Sequence, residues 1–257
     1  MIIYYEPNGI IKIEIEENKD LPTNIFPHNL TEIHFGNNYN KPIYPNILPL
    51  TLKKIVFGNN FNQNIFKNSF PQNLKYLEFG SNFEKQINIS VLPKKLTHLI
   101  FKGKYNHLIT ISTLPKNLTY LLFLNNECEL NEYVLPKSLT HLILGYNYNV
   151  EFKKNVLPEK LEYLELSAQY SHILKFIPEK LHTLCIYGSA INKLLLDNLP
   201  NTITTLILHN LKFPLNNLPN SIKQIKLNFN VKSKPDLLNN IPLECILFDK
   251  FNNVIKK

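Results

Sequence analysis

The chain has 257 residues, a formal net charge of +8 and 44% hydrophobic content. That apolar content is ample for a core and excludes a disordered chain. Three scattered cysteines, Cys128, Cys185 and Cys245, exclude a disulfide framework and a cysteine metal site.

No run approaches the roughly 18 apolar residues of a membrane span. The first residues, Met1 to Pro7, have neither the basic nor the apolar stretch of a signal peptide. The chain is therefore expected to be soluble and intracellular, with no membrane partner. All 28 basic residues are lysine. Arginine supplies the planar fork preferred for phosphates and base edges, so net charge alone argues weakly for nucleic acid, and that partner class is set aside.

Residues 1–25 read as a capping hairpin. Ile2 to Tyr5 and Ile10 to Glu16 are strand-like, and Glu6-Pro7-Asn8-Gly9 joins them with the Asn-Gly pair of a tight hairpin turn. From there an apolar-proline step, most often Leu-Pro, recurs about every 22 residues, at Pro27, Pro49, Pro71, Pro93, Pro115, Pro136, Pro158, Pro178, Pro200, Pro219 and Pro242. Such self-similarity predicts a stacked-repeat solenoid over residues 26–242.

With each proline as position zero, +3 holds leucine or isoleucine from Leu30 to Ile222, and +6 does so from Ile33 to Ile225. Position +8 holds phenylalanine or an aliphatic residue from Phe35 to Leu227. The +6 and +8 pair alternates with period two, which predicts a short strand with both side chains inward. Gly36, Gly58, Gly80 and Gly145 at +9 are expected to allow a sharp bend out of the strand. Asn38, Asn60, Asn82, Asn126 and Asn147 at +11 are expected to point inward and bond the backbone of neighbouring turns. The back of the core is assigned to aromatic residues at +12, Tyr39 to Tyr170, and to apolar residues at +16, from Ile43 to Leu194. That segment is too short and too rich in Asn and Pro for much helix. Residues 243–257 are expected to cap the other end.

The pattern L-x-x-L-x-[LF]-x-x-N resembles that of leucine-rich repeats. With the Leu-Pro step before it and [FY]-N-x-x-I after it, the chain resembles the FNIP repeat. Tyr39-Asn40-Lys41-Pro42-Ile43 and Phe61-Asn62-Gln63-Asn64-Ile65 carry the match best, and the resemblance covers residues 26 to 230, with later copies drifting. It implies a mainly β, leucine-rich-repeat-like solenoid with a parallel concave sheet of about ten short strands and little convex helix. FNIP-repeat proteins are known mainly from social amoebae and from giant viruses that infect amoebae. In several an N-terminal F-box precedes the repeats, which implies substrate recruitment to a ubiquitin ligase. Here residues 1–25 precede the repeats, too few for that three-helix module.

Positions +5 and +7 face outward if +6 and +8 face in. The middle turns then offer a row of Tyr76, His98, Tyr120, His141 and Tyr163 beside Ile100, Leu122 and Ile143. Exposed apolar surface with aromatic residues marks an interaction site, so these eight residues are the candidate partner-binding surface. The same residues also suit a cross-strand ladder with no partner. His98 and His141 fall about 10 Å apart at strand spacing, too far to share a metal. Glu78 and Glu165 flank the row with no nucleophile fixed beside them, so no enzyme, metal or cofactor is expected. The leading expectation is a non-catalytic module that binds a protein on its concave sheet. Its alternatives are a structural or self-associating component, including one in a virus particle, and a ubiquitin-ligase adaptor.

Overall fold

The computed structural model describes residues 2–5, 11–167, 169–187, 193–230, 235–238 and 240–256. The hairpin turn expected at Glu6 to Gly9 lies outside them. The chain divides into two compact units. One comprises Met1–Asn125 with Tyr133–Leu139, and the other comprises Asn126–Glu132 with Thr140–Lys257. Both are mainly β and both are built from the same coil.

In the first unit β1 (Ile2–Tyr5) runs antiparallel to β2 (Ile11–Ile15), with Ile3 opposite Ile13. Every later pairing is parallel: β3 (Glu32–Phe35), β4 (Lys54–Val56), β5 (Tyr76–Phe79), β6 (His98–Lys104) and β7 (Tyr120–Asn125) follow in chain order. Ile33, Ile55, Leu77, Leu99 and Leu121 stand in register across them.

The proline corner explains the period. The amides of Leu30, Leu52, Leu74, Leu96 and Leu118 each donate to the carbonyl of the proline three residues earlier, at 3.1–3.2 Å. Proline suits the corner because its φ is fixed and it has no amide to satisfy. Three residues before the prolines from Pro27 to Pro136 the backbone enters the left-handed region, at Asn24, Asn46, Asn68, Ser90, Ser112 and Tyr133, with φ of 61–72°. Asparagine tolerates that conformation better than most residues.

The interior is as dry as the pattern predicts. The +3 and +6 aliphatics in both units are fully buried. Phe35, Phe57, Phe79, Phe101 and Phe123 stack with neighbouring centroids 4.8–5.6 Å apart. A second stack, Tyr39, Phe61 and Phe83, runs behind them at 6.2–6.4 Å. Such pairs add roughly 0.5–1.5 kcal/mol each beyond area burial.

In the second unit β8 (His141–Tyr146), β9 (Tyr163–Ser167), β10 (Thr183–Tyr187), β11 (Thr205–Leu208), β12 (Gln224–Leu227) and β13 (Ile246–Phe248) are parallel. β14 (Val254–Lys256) turns back antiparallel to β13, and Asp249 Oδ1 accepts from the Phe251 and Asn253 amides at 2.8 Å. The proline corner persists through the drifted copies: Leu161, Leu181, Ile203, Ile222 and Cys245 donate to their prolines at 3.0–3.1 Å.

Two details differ from expectation. Leu194 does not fill the core; it is 50% exposed on the short helix α1 (Lys193–Leu196), and Leu195 and Leu196 are buried in its place. Asn38, Asn60 and Asn82 point to solvent, and within the +11 set only Asn126 is buried. Asn82 Nδ2 donates to Asn60 Oδ1, one turn earlier, at 3.0 Å, but the side-chain bonds to the backbone of the next turn come from +10, where Asn37 Oδ1 accepts from the Asn59 amide at 3.1 Å, and from +13. Asn18, Asn40 and Asn62 Oδ1 accept from the amides of Asn40, Asn62 and Glu84, one turn on, at 2.9–3.1 Å. At the +9 glycines, Gly58 and Gly80 also leave room for the carbonyl of the preceding turn.

Candidate interaction surface

Because side chains alternate along each strand, +5 and +7 lie on the sheet face opposite the core. In the first unit β5, β6 and β7 bring Tyr76, His98 and Tyr120 into register. Their rings stack at 5.9 and 5.4 Å, tilted by 28° and 21°. The Thr97 hydroxyl lies 2.9 Å from His98 Nδ1 and fixes that ring. All three rings are half-buried. Of the two aliphatic residues expected beside them, Leu122 is half-buried, whereas Ile100 is 8% exposed and offers little area.

Glu78 is buried beside Ile100 in register. It accepts from the Tyr76 hydroxyl at 2.6 Å and pairs with Lys102. Burial first, and then this bond, hold the Tyr76 hydroxyl well above its ordinary pKa. Toward β2 the face becomes ionic. Lys54 lies 3.3 Å from Glu32 and 5.4 Å from the Tyr76 ring centroid, and Lys12 lies 2.7 Å from Glu14. His34 sits among them with its pKa lowered, by burial first and then by Lys12 and Lys54.

The second unit carries its own version. His141 and Tyr163 are in register and stack at 5.5 Å with a 19° tilt, and the Thr140 hydroxyl lies 2.9 Å from His141 Nδ1. Ile143 is half-buried opposite Glu165. The Tyr163 hydroxyl donates to Glu165 Oε2 at 2.7 Å. Beside them Cys185 is 1% exposed, and its thiol is pushed up to about 12, by burial first and then by the Glu165 charge.

Among the described residues the Tyr-x-Glu hydrogen bond thus occurs once in each unit. Its signal was present in the sequence as Tyr76-Leu77-Glu78 and Tyr163-Leu164-Glu165, at the same repeat positions. The two glutamates, expected as flanking carboxylates, are each occupied by a tyrosine. Among the described residues no three His, Cys, Asp or Glu side chains gather as a metal site requires. Among the same residues no helix is long and apolar enough to cross a membrane.

The FNIP Repeat model matches residues 18–60, 61–104 and 128–169, which together make up half of the chain. The chain belongs to the FNIP repeat family. Its coil resembles the crystal structure of CroV588 from a giant virus, described as a novel circular LRR protein. The two are 33% identical with a TM-score of 0.74, over 91% of this chain and 35% of that one. A chain of the Drosophila Toll–Spatzle complex shares the fold at 14% identity and a TM-score of 0.61, over 93% of this chain and 36% of that one. This FNIP-repeat chain spans about a third of the length of both structures. No curated protein sequence matches it.

Proposed function

We propose that this FNIP-repeat chain is a non-catalytic protein-interaction module whose partner lies on the open face of its parallel strands, the side expected to be concave. Tyr76, His98 and Tyr120 with Leu122 and a marginal Ile100 are the contact residues of the first unit; His141, Ile143 and Tyr163 are those of the second. The observation that carries this reading is the stacked row Tyr76–His98–Tyr120, half-exposed and held in place by Thr97. Aromatic side chains already ordered lose little entropy on binding and make effective anchors. The non-catalytic part of the proposal draws support from the two nearby carboxylates, each engaged by a tyrosine, and from Cys185, held as a buried thiol.

The test is affinity capture from the native cell with the wild-type chain, His98→Ala and Tyr120→Ala, with thermal melts as a folding control. Loss of the same captured protein in both folded variants supports the reading. Identical capture by all three chains sinks it. Recovery of ubiquitin-ligase subunits would assign the surface to substrate recruitment. Self-association is the second reading, suggested by the circular description of CroV588 and the 35% share of it that this chain matches. Light scattering at high concentration separates the two, because a strict monomer removes self-association.

A further inference from the structure

We infer that the corner of the first unit just ahead of and behind its prolines is a second docking surface, which takes an acidic amphipathic helix of a partner protein. Two rows define it. Tyr44, Phe66, Ile89 and Ile111, four or five residues before successive prolines, are 52%, 42%, 57% and 64% exposed. Leu50, just after Pro49, is 73% exposed and belongs to the second row. Segments 44–53, 66–75, 88–97 and 110–119 contain six lysines and no carboxylate. These are Lys53, Lys67, Lys75, Lys94, Lys95 and Lys116, all exposed. Of the six ammonium groups only that of Lys95 has a hydrogen-bond partner, Asn73 Oδ1 at 2.9 Å. At the first two of these corners a depression spans both sides of Pro49, lined by Asn24 and Asn46 on one side and by His28 and Leu50 on the other.

The corresponding stretches of the second unit are different. Glu159, Glu162 and Glu179 interrupt the lysines there. Lys153 and Lys175 are neutralised by Glu129 and Glu151, at 2.6 and 3.0 Å. Uncompensated charge beside exposed apolar side chains is therefore a property of the first unit and not of the repeat.

Spacing selects the occupant. Adjacent strands repeat at about 4.8 Å, and at this corner the Tyr44 and Phe66 rings of adjacent turns stand 6.1 Å apart, which brackets the roughly 5.4 Å pitch of an α-helix. A helix laid along the corner meets each turn with one apolar side chain and one carboxylate, and four turns accommodate about ten of its residues. A nucleic acid strand fits less well. No arginine is present, and Tyr44 and Phe66 already stack on each other at 6.1 Å. In the next two turns the exposed apolar residues are Ile89 and Ile111, one repeat position on, and bases do not stack on isoleucine. A bilayer has no repeat to match.

The probe is a helix-stabilised synthetic peptide of about 14 residues, with leucine along one face and glutamate beside it, followed by fluorescence anisotropy. Binding should fall with salt and weaken about tenfold or more in Ile89→Ser/Ile111→Ser and in Lys94→Gln/Lys116→Gln, both made at exposed positions. Tyr120→Ala should leave it unchanged, so this surface and the sheet face fail independently. A shuffled peptide of the same composition that binds equally well, no loss in either double variant, or tighter binding of phosphatidylserine vesicles or oligothymidylate would each overturn the inference.

Discussion

Gly58 lies against the carbonyl of Gly36, one turn of the coil earlier, and a Cβ on Gly58 would also come within 2.7 Å of the Asn37 Cα. Backbone atoms of a hydrogen-bonded turn cannot move aside as a side chain can. The glycine at this position is therefore a spacing device: it sets how closely one turn sits on the next.

Gly58→Ala should consequently destabilise the chain by about 1–3 kcal/mol, the usual cost of overpacking. Gly36→Ala is the internal control. Its Cβ would meet only the carboxylate of Glu16, an exposed side chain free to swing away. Urea denaturation of the two variants should separate them clearly. Equal losses would mean that backbone conformation, and not space, governs the position.

Leu121 and Tyr120 are sequence neighbours with opposite duties. Leu121 is fully buried on β7, while Tyr120 stacks on His98 on the other face at 5.4 Å. Leu121→Ala should cost about 2–5 kcal/mol. Tyr120→Ala removes the cross-strand stack on His98 and should cost under about 1 kcal/mol. If Tyr120→Ala melts the fold as severely as Leu121→Ala, the surface assignment on this strand is inverted.

The parts of this fold legible in the sequence are those enforced by a dry interior. Leu30 to Ile225 could be placed because each inward position excludes polar side chains in every turn. Other positions were less legible because their requirement is not chemical. The left-handed position three residues before the earlier prolines is occupied by Asn46, Ser90 and Tyr133 alike. The asparagines at +11 and +13 look equivalent until hydrogen bonds distinguish Asn60 from Asn62. In the run Leu194-Leu195-Leu196, composition alone does not select which leucines turn inward. For the candidate surface, alternation gives the face that Ile100 takes but not how far Glu78 and its other neighbours cover it.

Tyr133 holds a φ of 61° with a large side chain that is 63% exposed. A non-glycine residue there costs about 1–2 kcal/mol, less for asparagine, whose short polar side chain relieves the conformation. Tyr133→Asn should therefore raise the urea midpoint, by up to about 1 kcal/mol of stability. Asn46→Val, at the same point of an earlier turn with φ 64°, should lower it. A fall for both substitutions would show that the Tyr133 side chain contributes packing that outweighs its backbone strain.

Alkaline pH should weaken the second unit through Cys185. Its thiol is pushed up to about 12 in the folded chain, mainly by burial, whereas an unfolded cysteine titrates near about 8.5. Between those values the unfolded chain has lost a proton that the folded chain retains, so the unfolded state binds fewer protons and stability declines as pH rises. The contribution is complete below about pH 8.5 and is removed progressively above it. The Tyr163 hydroxyl, raised by burial and by its neighbours Cys185 and Glu165, adds to the decline once unfolded tyrosine titrates, near pH 10. Urea midpoints measured from about pH 7.5 to 10 should fall for the wild type and fall less for Cys185→Ala across the interval before tyrosine responds. Thiol labelling provides the companion measurement. The half-buried Cys128 should react in the native chain, while Cys185 and Cys245, both buried, should react only on unfolding. Prompt labelling of Cys185 in the native chain, or identical pH slopes with and without its thiol, would contradict the burial that raises its pKa.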